Sequence, residues 1–271
     1  MGPLCFLAQI EDAIQEPRQG ISVMKYVDDV TIVESGMVNE ESSLQATLNE
    51  FSEWSRCNNM KLNPDKCAIM NVCFMKNPVT PSPLEICSQQ LKVVDCVTIL
   101  GVQVSQDLKW NDHISKLIQK ANTTRYVLKM LKKFNLSTAN LLVIYKGYVR
   151  SLLEYPVLVW NAGLTSKLID NLESVQKRSL RIILGSSYTS YEEVLEKCCL
   201  QSLQERRKDI CTIFALDLKK SHRFKDWFPE ERGEQVHYNL RNGQNVTKIM
   251  CKTKRYSYSA FPYLIGLLNE K

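Results

Sequence analysis

Asp28 and Asp29 are adjacent carboxylates inside Lys25 to Val33, a run of mostly β-branched and aromatic residues. Such residues favour strands and Asp favours turns, so the run predicts two short strands with the acids at or beside a tight hairpin turn. Neighbouring carboxylates repel each other, and a divalent cation between them and a phosphate relieves that repulsion. These residues alone leave two interpretations open, a Mg²⁺ site for phosphoryl transfer and an ordinary Asp-Asp turn.

The elements around this run alternate between strand and helix over the first 110 residues. Apolar residues at three- and four-residue steps predict an amphipathic helix between Asn39 and Asn58. A loop from Met60 to Met70 then leads into a strand, and further strands are predicted over Leu84 to Cys87 and Val93 to Val104. Gly101 interrupts the last of these, as at a bulge or a close backbone approach. The pattern predicts an α+β fold with hairpins.

The pattern changes from strands to helices at Asn111. Asp112 and Ser137 are the predicted N-caps of the first two helices, Gly185 is the predicted end of the third, and no element is predicted beyond Ser221. The helices are predicted from Asn111 onward, from Thr138 to about Leu153, from about Ser166 to Leu184, and once or twice between Glu192 and Lys220.

Charge is unevenly distributed along the chain. Residues 1–110 carry 8 Lys and Arg against 14 Asp and Glu, residues 111–185 carry 12 against 4, and residues 186–271 carry 15 against 11. Basic rows on helices contribute salt-dependent affinity for nucleic acid, and they also keep an ordinary helical bundle soluble. The candidates for phosphate contact are Lys116, Lys120, Arg125, Lys129, Lys132 and Lys133.

The cysteine and histidine usage argues against a zinc protein. The chain has ten cysteines and three histidines, but no Cys-x-x-Cys pair, and the histidines are not grouped with cysteines at ligand spacing. Reduced thiols in a cytoplasmic or nuclear protein are expected. No signal peptide, transmembrane segment or membrane partner is expected, because no apolar stretch approaches the ~20 residues that cross a bilayer.

Several motifs in succession resemble the C-terminal part of the reverse transcriptase of non-LTR (LINE-type) retrotransposons, especially the jockey-like elements. Tyr26-Val27-Asp28-Asp29 resembles motif C of that family, the metal-binding hairpin. The other matching stretches are Gly2 to Asp12 (the end of motif B), Trp54 to Cys67 (motif D), Ile99 to Val102 with Leu108 to Ile114 (motif E and the start of the thumb), Glu173 to Leu184 (a post-thumb helix), and Tyr238 to Arg241 with Arg255 to Ser259 (the closing stretches). Their order along the chain is more specific than any single motif.

The resemblance implies a fold and a division of the chain. It implies a partial reverse-transcriptase palm over residues 1–110, built from an antiparallel sheet with helices and carrying motifs B to E. A helical thumb over residues 111–185 and a helical or irregular extension over residues 186–271 would follow.

The resemblance also implies RNA-templated DNA synthesis with Mg²⁺ or Mn²⁺, an RNA template, a DNA primer and deoxynucleoside triphosphates. Asp28 and Asp29 would be metal ligands, and Lys66 the proton donor, with Lys61 as the second candidate. Tyr26, Leu100 and Gly101 join the basic row as nucleic-acid contacts.

The family's fingers and the aspartate of its motif A do not precede the hairpin in this chain. Two-metal phosphoryl transfer needs ligands from both strands, so the chain alone is expected to be inactive. Three interpretations follow: a reverse transcriptase region that needs its missing part, a non-catalytic nucleic-acid-binding remnant, and a retrotransposon relic without a selected function.

Overall fold

The computed structural model describes residues 3–14, 17–36, 42–76, 82–221, 223–233 and 243–270. The chain divides into two compact units, one of residues 1–98 and 105–108 and the other of residues 99–104 and 109–271. Helices and small two-stranded ladders are both present, so the α+β class is confirmed in this coarse form. The division at residues 110 and 185 stays a prediction.

The first unit combines two helices with short strands. The hairpin β1–β2 is antiparallel, whereas β3 pairs with β6 in parallel. Among the described residues, the strands form separate two-stranded ladders, so the single antiparallel sheet that was expected is not found. The parallel pair β3–β6 is joined by a long crossover, whereas a tight turn joins antiparallel strands. The elements are α1 (Pro3–Glu11), β1 (Ile21–Tyr26), β2 (Asp29–Glu34), α2 (Leu44–Cys57), β3 (Ala68–Ile69), β4 (Glu85–Ile86), β5 (Gln89–Gln90) and β6 (Lys92–Val93).

A second hairpin, β7 (Cys96–Ile99) with β8 (Val102–Ser105), corrects the single strand expected over Val93 to Val104. Leu100 and Gly101 form its two-residue turn, with φ of 47° and 82°. Two successive positive φ values define a type I′ turn, which matches the twist of the flanking strands and favours glycine at its second position. Gly101 therefore reverses the chain rather than making a bulge.

Two small apolar clusters hold the first unit together. In one, Ile10, Ala13 and Phe51 are buried, and Val30 of β2 and Trp54 of α2 pack against them. The other has Leu84, Ile86 and Leu91 at its centre. The first cluster fixes the β1–β2 hairpin, since Val30 lies only two residues from Asp28.

The second unit is helical. A π-helix, Tyr145–Arg150, joins α4 to α5 in one continuous helical run. The α-helices are α3 (Asn111–Lys133), α4 (Thr138–Ile144), α5 (Ser151–Glu154), α6 (Val157–Trp160), α7 (Ser166–Leu184), α8 (Tyr191–Lys197), α9 (Leu203–Lys220), α10 (Lys254–Ser257) and α11 (Ala260–Leu268). No described helix has the length and apolar character that crossing a membrane requires.

The predicted helix ends are partly confirmed. Ser137 caps α4 by accepting a hydrogen bond from the backbone N–H of Asn140, and Gly185, with φ of 59°, ends α7. The predicted N-cap Asp112 is wrong, because Trp110 occupies that position and Asp112 lies in the first turn of α3. An acidic residue there still interacts favourably with the helix dipole.

The helices α10 and α11 were not predicted. Pro262 and Gly266 interrupt the pattern of α11, and its apolar residues form a near-continuous run without helical spacing. Tertiary packing supplies what the pattern lacks, since α11 packs against α9 and buries Leu264, Ile265 and Leu267.

A buried hydrogen-bond network links α7 to its neighbours in the core of the second unit. The Gln176 side chain is fully buried. The Tyr145 hydroxyl donates to Gln176 Oε1, and Gln176 Nε2 donates to the Tyr191 hydroxyl (2.7 Å) and to the carbonyl of Gln201 (3.0 Å). A buried amide with all of these partners costs little to desolvate and holds the four segments in one arrangement.

Candidate metal hairpin and basic helical surface

The β1–β2 hairpin places Asp28 in its two-residue turn and Asp29 at the first position of β2. Tyr26 and Asp29 face each other across the ladder, so they lie on the same face of the hairpin. All three residues are exposed. The prediction that the acids lie at a tight hairpin turn is confirmed.

Val27, the first turn residue, has a φ of 55°. A positive φ at this position is typical of type II′ turns, where glycine is preferred. A β-branched residue in this region is a steric outlier, and strain of this kind concentrates at functional sites. The carboxylates therefore follow a residue whose backbone is held in an unfavourable conformation.

The hairpin is anchored on α1 close to its turn. Lys25 Nζ donates to the carbonyl of Glu11 at 2.7 Å. Residues Ile21, Val23 and Lys25 alternate with the exposed Ser22, Met24 and Tyr26, so the hairpin has one face toward the cluster of Ile10 and one toward solvent. The carboxylate of Asp29 belongs to the solvent face.

Asp28 and Asp29 fit part of a divalent-cation site. Exposed carboxylate oxygens are suitable ligands for Mg²⁺ or Mn²⁺, which keep several waters and take one or two protein carboxylates. Within the described residues, no group of three or more His, Cys, Asp or Glu side chains comes together as a metal site. A complete site therefore needs a further ligand from beyond these two acids.

Lys66, the predicted proton donor, lies at the end of a 3₁₀ turn, Pro64–Lys66, and is exposed. Gln89 Nε2 donates to Asp65 Oδ1 at 2.9 Å and fixes this turn. Lys61 is exposed in the loop before it. In the part of the chain that the structure describes, no hydrogen bond or ion pair joins Lys66 to Asp28 or Asp29, and its role stays a prediction.

Leu100 and Gly101, predicted to contact the primer, form the turn of the second hairpin and contact Tyr155. The Tyr155 hydroxyl donates to the carbonyl of Leu100 at 2.9 Å. A Cβ at Gly101 would lie 3.4 Å from Tyr155 Cε1. Because Leu100 remains 42% exposed, its side chain is accessible to a partner while its carbonyl is held.

The side chain of His113 is buried where α3 begins. Its Nδ1 accepts a hydrogen bond from the backbone N–H of Gln103 at 3.2 Å. Burial lowers the pKa of His113, and the charges of Lys120 and Lys116 lower it further. The imidazole is therefore a neutral structural acceptor, and the two exposed lysines of the basic row lie close enough to influence it.

The six basic residues of α3 are not equivalent. Lys132 is half-buried and donates to the carbonyl of Ile183 at 2.9 Å, which satisfies an otherwise open acceptor near the end of α7. Lys133 is exposed at the end of α3. Arg125 and Lys129 line a groove against α7 together with Arg178 and Arg181. Sequence reasoning did not select these two α7 arginines, although their spacing of three residues places them on one helix face.

The stretch that contains the candidate hairpin matches a known protein family. Residues 1–104 match the family model described as reverse transcriptase (RNA-dependent DNA polymerase). This stretch includes Asp28, Asp29, Lys66 and the Leu100–Gly101 turn. The first 104 residues are therefore similar to reverse transcriptases.

Two curated relatives are polymerases of the same mobile element. The RNA-directed DNA polymerase from mobile element jockey of Drosophila melanogaster is 23% identical over 174 residues, covering 63% of this chain and 19% of the relative. The protein of the same name from Drosophila funebris is 27% identical over 173 residues, covering 62% and 18%. These matches support a reverse-transcriptase region of the non-LTR retrotransposon kind, and the chain spans less than a fifth of these relatives' length. No solved structure matches the chain.

Parts of the first and last stretches that carry the resemblance lie outside the described residues. Gly2 and the segment Tyr238 to Arg241 lie outside the described residues, and Arg255 to Ser259 overlaps α10.

Proposed function

We propose that this chain supplies the metal-binding hairpin and a nucleic-acid-holding helical unit for RNA-templated DNA synthesis by a non-LTR reverse transcriptase. The observation that carries this proposal is the exposed pair Asp28 and Asp29 at a two-residue turn within the stretch that matches the reverse-transcriptase family. In this proposal residues 1–110 are part of a palm and residues 111–185 a thumb.

Asp28 and Asp29 would hold Mg²⁺ or Mn²⁺ together with a third carboxylate from outside the described residues. Such ions neutralise charge on a transferred phosphoryl group and orient the attacking and leaving oxygens. Lys66 would donate the proton to the leaving group. The substrates would be deoxynucleoside triphosphates, added to a DNA primer on an RNA template.

The helical unit and the second hairpin would hold the primer and template. Leu100 and Gly101 would contact the primer, and Tyr26 would contact nucleic acid from the solvent face of the first hairpin. The exposed basic residues Lys116, Lys120 and Lys133 would contribute phosphate contacts.

A second candidate function is nucleic-acid binding without catalysis. The observation that favours it is the limited ligand set, since the described residues bring only two adjacent carboxylates to the hairpin. The two candidates differ in whether Asp28 matters for nucleotide addition.

A primer-extension assay separates them. The full chain would replace the matching stretch of the Drosophila melanogaster relative, and extension on an RNA template would be measured with Mg²⁺. We expect Asp28→Asn to lower the rate by on the order of 100-fold or more, because it removes charge that stabilises the transition state. The matched control Asp170→Asn changes an exposed aspartate of α7 and should leave the rate unchanged. Extension that is insensitive to Asp28→Asn would refute the proposal.

A direct measurement covers the case in which the chimera is inactive. Mn²⁺ added to the full chain should broaden the backbone amide signals of Tyr26 to Val30, and Asp28→Asn with Asp29→Asn should abolish that effect. Equal broadening in the double variant would mean that the hairpin does not bind the cation.

A further inference from the structure

An open groove of about 450 Å³ lies between α3 and α7 within the second unit. Arg125 and Lys129 line it from α3, and Arg178 and Arg181 line it from α7. The two helices pack directly against each other, with Arg125 near Arg178 and Lys132 near Ile183. Four cationic side chains therefore converge on one concave surface.

Within the part of the chain that the structure describes, these cations have no carboxylate partner. Among the described residues, none of the four forms an ion pair, and Arg125 Nη1 is buried from solvent without a hydrogen-bond partner. Burial lowers the pKa of Arg125, and the positive charge of Arg178 lowers it further. A buried guanidinium nitrogen beside a like charge is costly unless an anion completes the arrangement.

Three other partly buried basic residues of the same unit have partners. Arg150 and Arg206 both contact the carboxylate of Glu154. Lys132 donates to a helix carbonyl. Arg207 Nη1 and Nη2 are likewise buried without a hydrogen-bond partner, so an unpaired guanidinium nitrogen alone does not distinguish the groove. What distinguishes it is that four cationic side chains line one open surface.

We propose that the groove between α3 and α7 binds a backbone phosphate of a nucleic-acid strand, with Arg125 and Arg178 as the direct phosphate ligands. Planar guanidinium groups bind phosphate oxygens through paired hydrogen bonds, and a phosphate between them removes their mutual repulsion. Lys129 and Arg181 add charge at the sides, and Arg181 is held by stacking on Tyr188, 5.1 Å from the ring centre.

Two features favour a nucleic-acid strand over a free phosphate compound. The groove is open to solvent, so it can admit one phosphate of a longer chain. The ring of Tyr126 is 63% exposed beside the four cations, and an aromatic ring next to a basic groove offers a stacking surface for a base. That the phosphate belongs to nucleic acid rests on the proposed function. That the groove binds a phosphate rests on its four cationic side chains and does not depend on the proposed function.

The test compares two full-length double variants that remove the same charge. Arg125→Gln with Arg178→Gln changes the groove. Lys167→Gln with Lys197→Gln changes exposed basic residues that do not line it. Binding of a short fluorescein-labelled DNA strand is measured by anisotropy between about 50 and 200 mM salt.

We expect the groove variant to bind about tenfold more weakly, with a salt slope lower by roughly 1, as for the loss of one phosphate contact. The control variant should weaken binding by less than about twofold, since exposed lysines contribute little individually. Equal weakening in both variants would overturn the proposal, because it would mean that only total charge matters.

Thermal unfolding distinguishes loss of the ligand site from loss of the fold. The groove variant should melt at the wild-type temperature or above it, because it removes a repulsion and no ion pair. A large drop in melting temperature would assign Arg125 and Arg178 a structural role and overturn the proposal.

Competition identifies the source of the phosphate. Tripolyphosphate should displace the strand only at a large excess, whereas displacement at equal concentration would assign the groove to a free polyphosphate. Polyglutamate that displaces the strand more effectively than unlabelled DNA would assign it to an acidic protein. The strand-binding assay requires no nucleotide addition, so failure of the extension assay and failure of this inference are separate results.

Discussion

Replacing Val27 by glycine should stabilise the β1–β2 hairpin, although the same replacement in a strand is usually destabilising. Val27 has a φ of 55°, in the left-handed region that L-residues avoid. Its side chain is 45% exposed, so little apolar contact is lost with it. The effect of the change therefore depends mainly on the backbone.

The magnitude follows from two opposing terms. Relief of the left-handed conformation contributes about 1–2 kcal/mol, while the greater freedom of glycine in the unfolded chain costs about 0.5–1 kcal/mol. The net expected gain lies between about 0 and 1.5 kcal/mol, with a midpoint of about 0.75 kcal/mol. Val33→Gly is the matched control, because Val33 lies in β2 on the same solvent face and is 42% exposed. It should lose about 1 kcal/mol, since glycine weakens an ordinary strand position.

Hydrogen exchange of the amides of residues 21–34 measures both changes. Val27→Gly should slow the exchange of these amides by about two- to fivefold, and Val33→Gly should speed it by about fivefold. These factors apply where the amides exchange through local opening of the hairpin, which costs less free energy than global unfolding. If both variants speed exchange equally, Val27 stores no strain, and the argument that its backbone is held in an unfavourable conformation is refuted.

Two further predictions concern the second unit. Gln176→Leu should lower the free energy of unfolding by about 1–3 kcal/mol in urea denaturation, because it leaves the buried Tyr145 hydroxyl without its acceptor. Gln119→Leu on the exposed surface of α3 is its control, and a cost for Gln176→Leu no larger than the control's would show that the network is not stabilising. The wild-type protein should lose stability as the pH falls from about 7 to 5, and His113→Asn should lose less. Asparagine retains an acceptor for the backbone N–H of Gln103. The lowered pKa of His113 means that the unfolded chain binds the proton more readily, so wild-type stability falls as the pH drops below about 6.5 toward the folded value. Equal acid sensitivity of the two proteins in urea unfolding would contradict this assignment.

Local patterns predicted the elements that depend on local interactions. The acids at the hairpin turn, the Ser137 cap and the helix that ends at Gly185 each rest on residues close together in sequence. The Leu100–Gly101 reversal was missed because an apolar run with one glycine is equally consistent with a bulged strand and a hairpin. Helix α11 was missed because its support comes from packing against α9 rather than from its own spacing.

The candidate phosphate groove could not be predicted because it depends on a long-range contact. Arg125 and Arg178 each lie on a basic helix face that the sequence shows. Their proximity depends on which faces of α3 and α7 pack together, and on the absence of a nearby carboxylate among the described residues. Charge counting treats Lys132 and Arg125 alike, but one side chain completes a helix end and the other has a buried nitrogen without a partner.

The two proposed sites would bind ligands of opposite charge, a divalent cation at the hairpin and a phosphate at the groove. A phosphate is repelled by Asp28 and Asp29 unless a cation lies between them, whereas it can approach Arg125 and Arg178 directly. Nucleic acid bound at the proposed groove site would therefore need no metal, and added Mg²⁺ would compete with the arginines for the phosphate. A strand held at the groove and reacting at a metal-loaded hairpin would use both kinds of site. A chain without a third metal ligand would keep the groove's affinity for nucleic acid and lose the chemistry, so binding alone is not a measure of catalytic competence.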